Sequence, residues 1–162
     1  GMGRERFAAT PIVDGDMIYH SGSGGNLKAY KLQKEGDKIT HKELWSNPEV
    51  SLSFNSPVLK DGMLFGVTGA SQFFCIDAQS GKTAWIGPRD TGGGYGSVVD
   101  AGAVLLGITP DSGLVVIEPT AKAYNELARI KVADSQVFAH LIVAGNRLFV
   151  KDRDSVAMFT VE

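Results

Sequence analysis

The sequence predicts an all-β fold: a β-propeller built of four-stranded antiparallel blades, about four of which are present. Three observations carry that expectation. One pattern (a small polar residue, an apolar strand, a turn and a second apolar strand) opens at residues 10, 56, 97 and 140, spaced 46, 41 and 43 residues apart. Each copy is followed by another apolar strand after a gap of 8, 8, 8 and 7 residues. Gly, Asp and Asn punctuate the strands at the turns. Short strands recurring at this period are the mark of propeller blades, each unit burying its faces only by stacking on its neighbours.

The first blade, about residues 7–52, takes its inner hairpin from 10–19, a third strand from 27–32 and an outer element from 41–45 that ends on Trp45. The second, about 53–93, repeats this with 56–65, 73–78 and 81–85, ending on Trp85. The third, about 94–136, uses 97–106, 114–119 and 124–128, with Ala128 where the tryptophan stands elsewhere. The fourth, about 137–162, has 140–149 and 156–161 and no outer strand. Residues 1–6 form an N-terminal arm, and Gly1-Met2-Gly3 reads as a tag remnant. Asp14-Gly15, Asp61-Gly62 and Gly145-Asn146 supply the left-handed positions that tight hairpins need. Tyr124, Leu127 and Ala128 would also suit the apolar stripe of a helix over 121–132, but the repeat frame favours a turn followed by an outer strand.

Composition narrows the function classes. Of 162 residues 43% are hydrophobic and 21% charged, which suits a core-forming chain. A net charge of −2 lacks the basic footprint of a dedicated nucleic-acid binder. One cysteine excludes a disulfide framework and a cysteine-based structural zinc site. The apolar runs are too short for a membrane-spanning helix, and no charged-then-apolar leader opens the chain as given.

Residues 56–66 (SPVLKDGMLFG) followed by 74–85 (FCIDAQSGKTAW) resemble the repeat of pyrroloquinoline-quinone-like (PQQ-like) β-propellers. The first unit shares the pattern through Ala29-Tyr30-Lys31-Leu32 and Trp45, while the third departs at Pro119 and Ala128. The resemblance spans roughly residues 7–162 and implies a C-terminal fragment of a seven- or eight-bladed ring. It implies export to a bacterial periplasm or cell surface, and a non-catalytic scaffold that binds protein partners or a ligand. The alternative it implies is part of a quinoprotein oxidoreductase acting on alcohols or sugars with PQQ and calcium. Such enzymes use an adjacent cysteine pair, a stacking tryptophan and carboxylates around calcium. Here the lone Cys75 lies in a strand, and Asp14, Asp16, Asp61 and Asp77 fall at turns or strand ends. No cofactor or metal site is therefore identified in this segment, and the balance leans away from an enzyme. A carbohydrate-binding or lyase propeller is a third, weaker reading. A partial ring exposes two blade faces, which implies a homodimer closing through them.

Individual motifs take their meaning from that frame. Ser80-Gly81-Lys82-Thr83 imitates the end of a phosphate-binding loop, but Ile76 replaces its leading glycine and a strand follows, so a hairpin turn is expected. The crossing loop at 92–96 and the opening of the fourth inner strand supply the ligand-face candidates Gly94, Tyr95 and His140. His140 stands where the other units place Ser or Thr, near the mouth of the central channel. His20 and His41 show no metal-ligand spacing. Cys75 is expected to be buried and inert, Trp45 and Trp85 to dock neighbouring blades, and Asp152-Arg153-Asp154 to form a solvated turn.

Overall fold

The computed structural model describes residues 9–21, 25–52, 54–89, 95–109 and 111–161. Among them, fifteen strands form four antiparallel sheets, each a meander in chain order. The first sheet holds β1 (Ile12–Asp14), β2 (Met17–His20), β3 (Asn26–Glu35) and β4 (Lys38–Ser51). The second holds β5 (Val58–Lys60), β6 (Met63–Val67), β7 (Gln72–Asp77) and β8 (Thr83–Arg89). The third is β9 (Ser97–Asp100), β10 (Leu105–Ile108), β11 (Gly113–Ile117) and β12 (Glu126–Lys131), and the fourth is β13 (Ile142–Ala144), β14 (Arg147–Lys151) and β15 (Val156–Thr160). These are the blades of a partial propeller. The stretch with the helix-like stripe forms a turn and β12, which pairs with β11 from Gly113↔Lys131 to Ile117↔Glu126.

Alternation along the strands gives every blade two unlike faces. In the first sheet Tyr19, Leu27 and Ala29 point toward the second, where Leu64, Phe74 and Ile76 meet them in one buried cluster. Phe65, Phe73, Cys75 and Trp85 on the other face of the second sheet meet Val98, Leu105, Val115 and Ile117 of the third. Ile108, Leu114 and Val132 of the third then meet Leu141, Leu148 and Val150 of the fourth. Each internal sheet therefore contributes to two separate cores. Close backbone approach helps: at Gly107 a Cβ would fall 2.4 Å from the Phe73 ring, so only glycine lets that ring lie across the next blade.

Two local devices recur. The ladder slips at the same point in three sheets, between Ala29 and Tyr30, between Cys75 and Ile76, and between Val116 and Ile117. The extra residue in each outer strand bends it and re-aims the side chain beyond. A buried polar side chain directly follows the second strand in all four sheets: Ser21, Thr68, Thr109 and Asp152. Thr68 accepts from the Ala70 and Gln72 amides, and Asp152 accepts from Asp154 and Ser155. The expected solvated turn at 152–154 is thus corrected for its first member. Asp152 is buried, its carboxylate replaces a hydroxyl cap, and its turn is one residue shorter, which accounts for the gap of 7.

Candidate functional site

Where one blade's outer strand crosses to the next blade's inner strand, the connection must bring the chain from rim to axis. Phe54, Tyr95 and Phe138 each sit two residues before the Ser or His that opens an inner strand, and their rings gather. Tyr95 stacks on Phe54 with centroids 5.1 Å apart at 10°, and Phe138 presents edge-on to Tyr95 at 5.1 Å and 80°. All three are substantially exposed, at 38%, 36% and 57%. Three successive crossings thus contribute one exposed aromatic cluster, apolar but for a single phenolic hydroxyl.

Hydrogen bonds tie together the described residues beneath it. Buried Asn55 donates to the Val67 carbonyl at 3.1 Å and accepts from the Gly96 amide at 3.1 Å, tying the two crossings that carry Phe54 and Tyr95. Gly96 has no room for a side chain, since a Cβ would lie 3.0 Å from the Ile108 carbonyl. Inner strands are linked through hydroxyls: Ser56 accepts from the Thr10 amide at 2.8 Å, and Ser97 accepts from the Leu141 amide at 3.3 Å. His140 is exposed at the head of the fourth inner strand, two residues after Phe138, and is not part of the ring cluster. Of the ligand-face candidates, then, Tyr95 lies at the centre of the cluster and His140 beside its third member in sequence. Gly94 lies outside the described residues.

The remaining candidates lie in turns, in strands or between blades. Ser80 and Gly81 form a turn, with Ser80 donating through its amide and hydroxyl to Asp77 Oδ1 at 2.7 Å each. Those bonds hold the Asp77 carboxyl below its ordinary range. Cys75 is fully buried, and desolvation pushes its thiol up to about 12. Trp45 Nε1–H donates to the Ala78 carbonyl at 3.0 Å and Trp85 Nε1–H to the Thr120 carbonyl at 2.8 Å, each from one blade to the next. Among the described residues no group of three or more His, Cys, Asp or Glu is placed to hold a metal ion.

Sequence reasoning missed a second cluster. On the uncovered face of the first sheet Tyr30 stacks on His20 at 5.2 Å and 11°, and meets His41 edge-on at 5.5 Å and 70°. The Tyr30 hydroxyl and Lys28 Nζ both donate to Glu43 Oε2, at 3.0 and 2.9 Å. Hydrogen bonds from Lys28 and Tyr30 hold the Glu43 carboxyl below its usual range. Only the ladder register reveals this neighbourhood, since His20, Tyr30 and His41 lie on three different strands.

Comparison with known proteins agrees with the geometry. A family model described as outer membrane protein assembly factor BamB matches residues 4–87. No curated protein matches the chain. Among solved structures, BamB from Moraxella catarrhalis aligns with a TM-score of 0.74 at 15% identity, over 94% of this chain and 43% of that one. The computationally designed Ika4 protein gives 0.70 at 11% identity, over 99% of this chain and 94% of that one. The designed Ika8 protein gives 0.69 at 11% identity, over 96% and 46%. The chain thus spans less than half the length of the BamB structure it matches. At these identities the structural likeness establishes the fold alone.

Proposed function

Because the chain belongs to the family described as outer membrane protein assembly factor BamB, we propose that it is a non-catalytic propeller segment, an interaction or ligand-binding scaffold that a second copy completes into a ring. One observation carries this reading: the two uncovered blade faces are of opposite kinds. At the three internal interfaces the face bearing Tyr19, Phe65 or Leu106 meets the face bearing Leu64, Leu105 or Leu148 on the next sheet. The fourth sheet leaves its face of the first kind open, with Phe149 paired between Ile142 and Met158, and the latter two more than half exposed. The first sheet leaves its face of the second kind open, lined by Ile18, His20, Tyr30, Leu32 and His41 around a cavity of about 330 Å³. The fourth sheet of one copy therefore suits the first sheet of another. Two such contacts close a two-fold ring with no face left over. Glu43 already partners Lys28 and Tyr30, so that face can enter the contact with those donors satisfied.

The axial cluster of Phe54, Tyr95 and Phe138 would then be the surface offered to a protein partner or ligand. The family resemblance supports a bacterial, periplasmic or cell-surface setting, which fractionation of cells expressing the full gene would test. Sedimentation velocity at micromolar concentration tests the ring: a dimer that Met158→Lys converts to monomer is expected. A stable wild-type monomer would sink the pairing.

A further inference from the structure

The three interfaces between blades are built alike, but one lacks its outer seal. Across the last two strands Ala29 faces Trp45, Cys75 faces Trp85, and Val116 faces Ala128. The same bulge adjoins each pair, so these are one structural position in three blades. The first two indoles lie over the rim of the following interface, Trp45 so closely on Gly81 that a Cβ there would come within 2.4 Å of its ring. Past Ala128 the corresponding space is a cavity of about 390 Å³, lined by Leu106, Val116, Ile130, Val143, Leu148 and Val161. It continues outward from the buried cluster between the third and fourth sheets. Leu106 and Val116 remain half-buried there, whereas their counterparts Tyr19 and Ala29, and Phe65 and Cys75, are covered. The hydrogen-bond acceptor is repeated too. The Val161 amide donates to the Asn146 carbonyl as the Ala78 amide donates to Gly62, which puts the Val161 carbonyl where Ala78 receives the Trp45 N–H.

We propose that this groove is a receptor for the indole of a tryptophan carried by a partner polypeptide. The apolar walls take the ring and the Val161 carbonyl takes its N–H, reproducing from outside what Trp45 and Trp85 do from within. The sheet edge points to a polypeptide as the source. β12 is the last strand of its sheet, and the Val132 amide donates inward to the Ser112 carbonyl. By the alternation of an antiparallel ladder, Ala128 and Ile130 also address β11, while the backbone groups of Lys131 turn away from it, toward the outer edge of the sheet. An extended segment paired along that edge places the residue opposite Ala128 on the groove side of the sheet. The inference rests on the scaffold reading only for the existence of a partner. The groove lies between two blades of one chain, so its test answers whether or not copies pair.

The test is ¹⁹F NMR on the full 162-residue chain with two probes: 5-fluoroindole, and a short extended peptide with a central 5-fluorotryptophan. Saturable binding is expected, with a Kd of about 1 mM for 5-fluoroindole and about tenfold tighter for the peptide. Ala128→Trp fills the groove from within and should weaken both probes about tenfold or more while raising the melting temperature. Ile130→Lys, at an exposed rim position that leaves the fold intact, should weaken both as well. No saturable binding, or binding indifferent to both substitutions, overturns the receptor. Equal affinity for the two probes overturns the polypeptide source. Loss of the ring in sedimentation with indole binding retained removes the pairing and leaves the groove standing.

Discussion

Replacing Trp85 by alanine should remove a large share of the stability of the second interface. Trp85 is only 9% exposed, its ring meets Phe65 at 6.1 Å and Tyr124 at 5.6 Å, and its N–H reaches the Thr120 carbonyl. An aromatic side chain of this kind buries roughly 150–250 Å², which at about 25 cal/mol per Å² is about 4–6 kcal/mol as an upper bound. Tyr124 is itself stacked on Phe73 at 6.1 Å, so the site cannot collapse freely and a cavity remains. The expected loss is therefore about 3–5 kcal/mol. Trp85→Phe keeps most of the ring and removes the donor, and should cost nearer ~1 kcal/mol. Trp45→Ala should cost less than Trp85→Ala, because Trp45 is only half-buried. Urea unfolding followed by circular dichroism reads all three, with Trp45 as the remaining fluorophore once Trp85 is gone. A loss under about 1 kcal/mol for Trp85→Ala, or one equal to that of Trp85→Phe, would refute the view that this indole seals the interface.

Three further outcomes follow from the same geometry. Gly107→Ala should destabilise by about 1–3 kcal/mol, because the new methyl meets the buried Phe73 ring, and Phe73→Leu in the same chain should recover part of that loss. Cys75, with its thiol pushed up to about 12 by burial, should not react with Ellman's reagent in the native chain and should react at once in denaturant; fast native labelling would contradict its burial. The Ser155 amide, foremost among its donors, holds Asp152 down to about 2, so its contribution to stability is present above about pH 4 and lost as pH falls from about 4 to about 2. The melting temperatures of wild type and Asp152→Asn should accordingly differ at about pH 6 and converge near pH 2, and a constant difference would dismiss the carboxylate as the cause.

Repetition made the blades readable: the order of polar opener, strand, turn and strand recurs even where individual residues and the spacing change. The Trp45 and Trp85 positions were legible for the same reason, and Ala128 was visible as the missing third. That a cavity lies on that side of the sheet was not legible, because its volume depends on how the third and fourth sheets meet. The bulges left no trace in residue type, since Leu44, Ala84 and Leu127 share nothing but the slip of register beside them. Phe54 and Phe138 stand at the repeat spacing from Tyr95, so the signal existed. It lay in crossing loops, where no strand periodicity draws attention to a lone aromatic. His20 and His41 escaped for a different reason, as strands of unequal length hide which residues face each other until pairing is known. Asp152 was misjudged because a charged residue in a short turn is ordinarily solvated, whereas here three donors converge on one carboxylate oxygen.

The division of the interior into three separate clusters bears on how the molecule comes apart. Each blade exchanges energy only with the blades beside it, so cooperativity runs along a line instead of through a common centre. The two terminal sheets each hold on by one interface and the two middle sheets by two. Protection from hydrogen exchange should therefore fall off from the middle of the chain toward its ends, and a mechanical pull on the termini should peel blades in sequence. Closing the line into a circle would erase those ends, which makes the exchange profile of the first and fourth sheets a direct gauge of whether the arc stands alone.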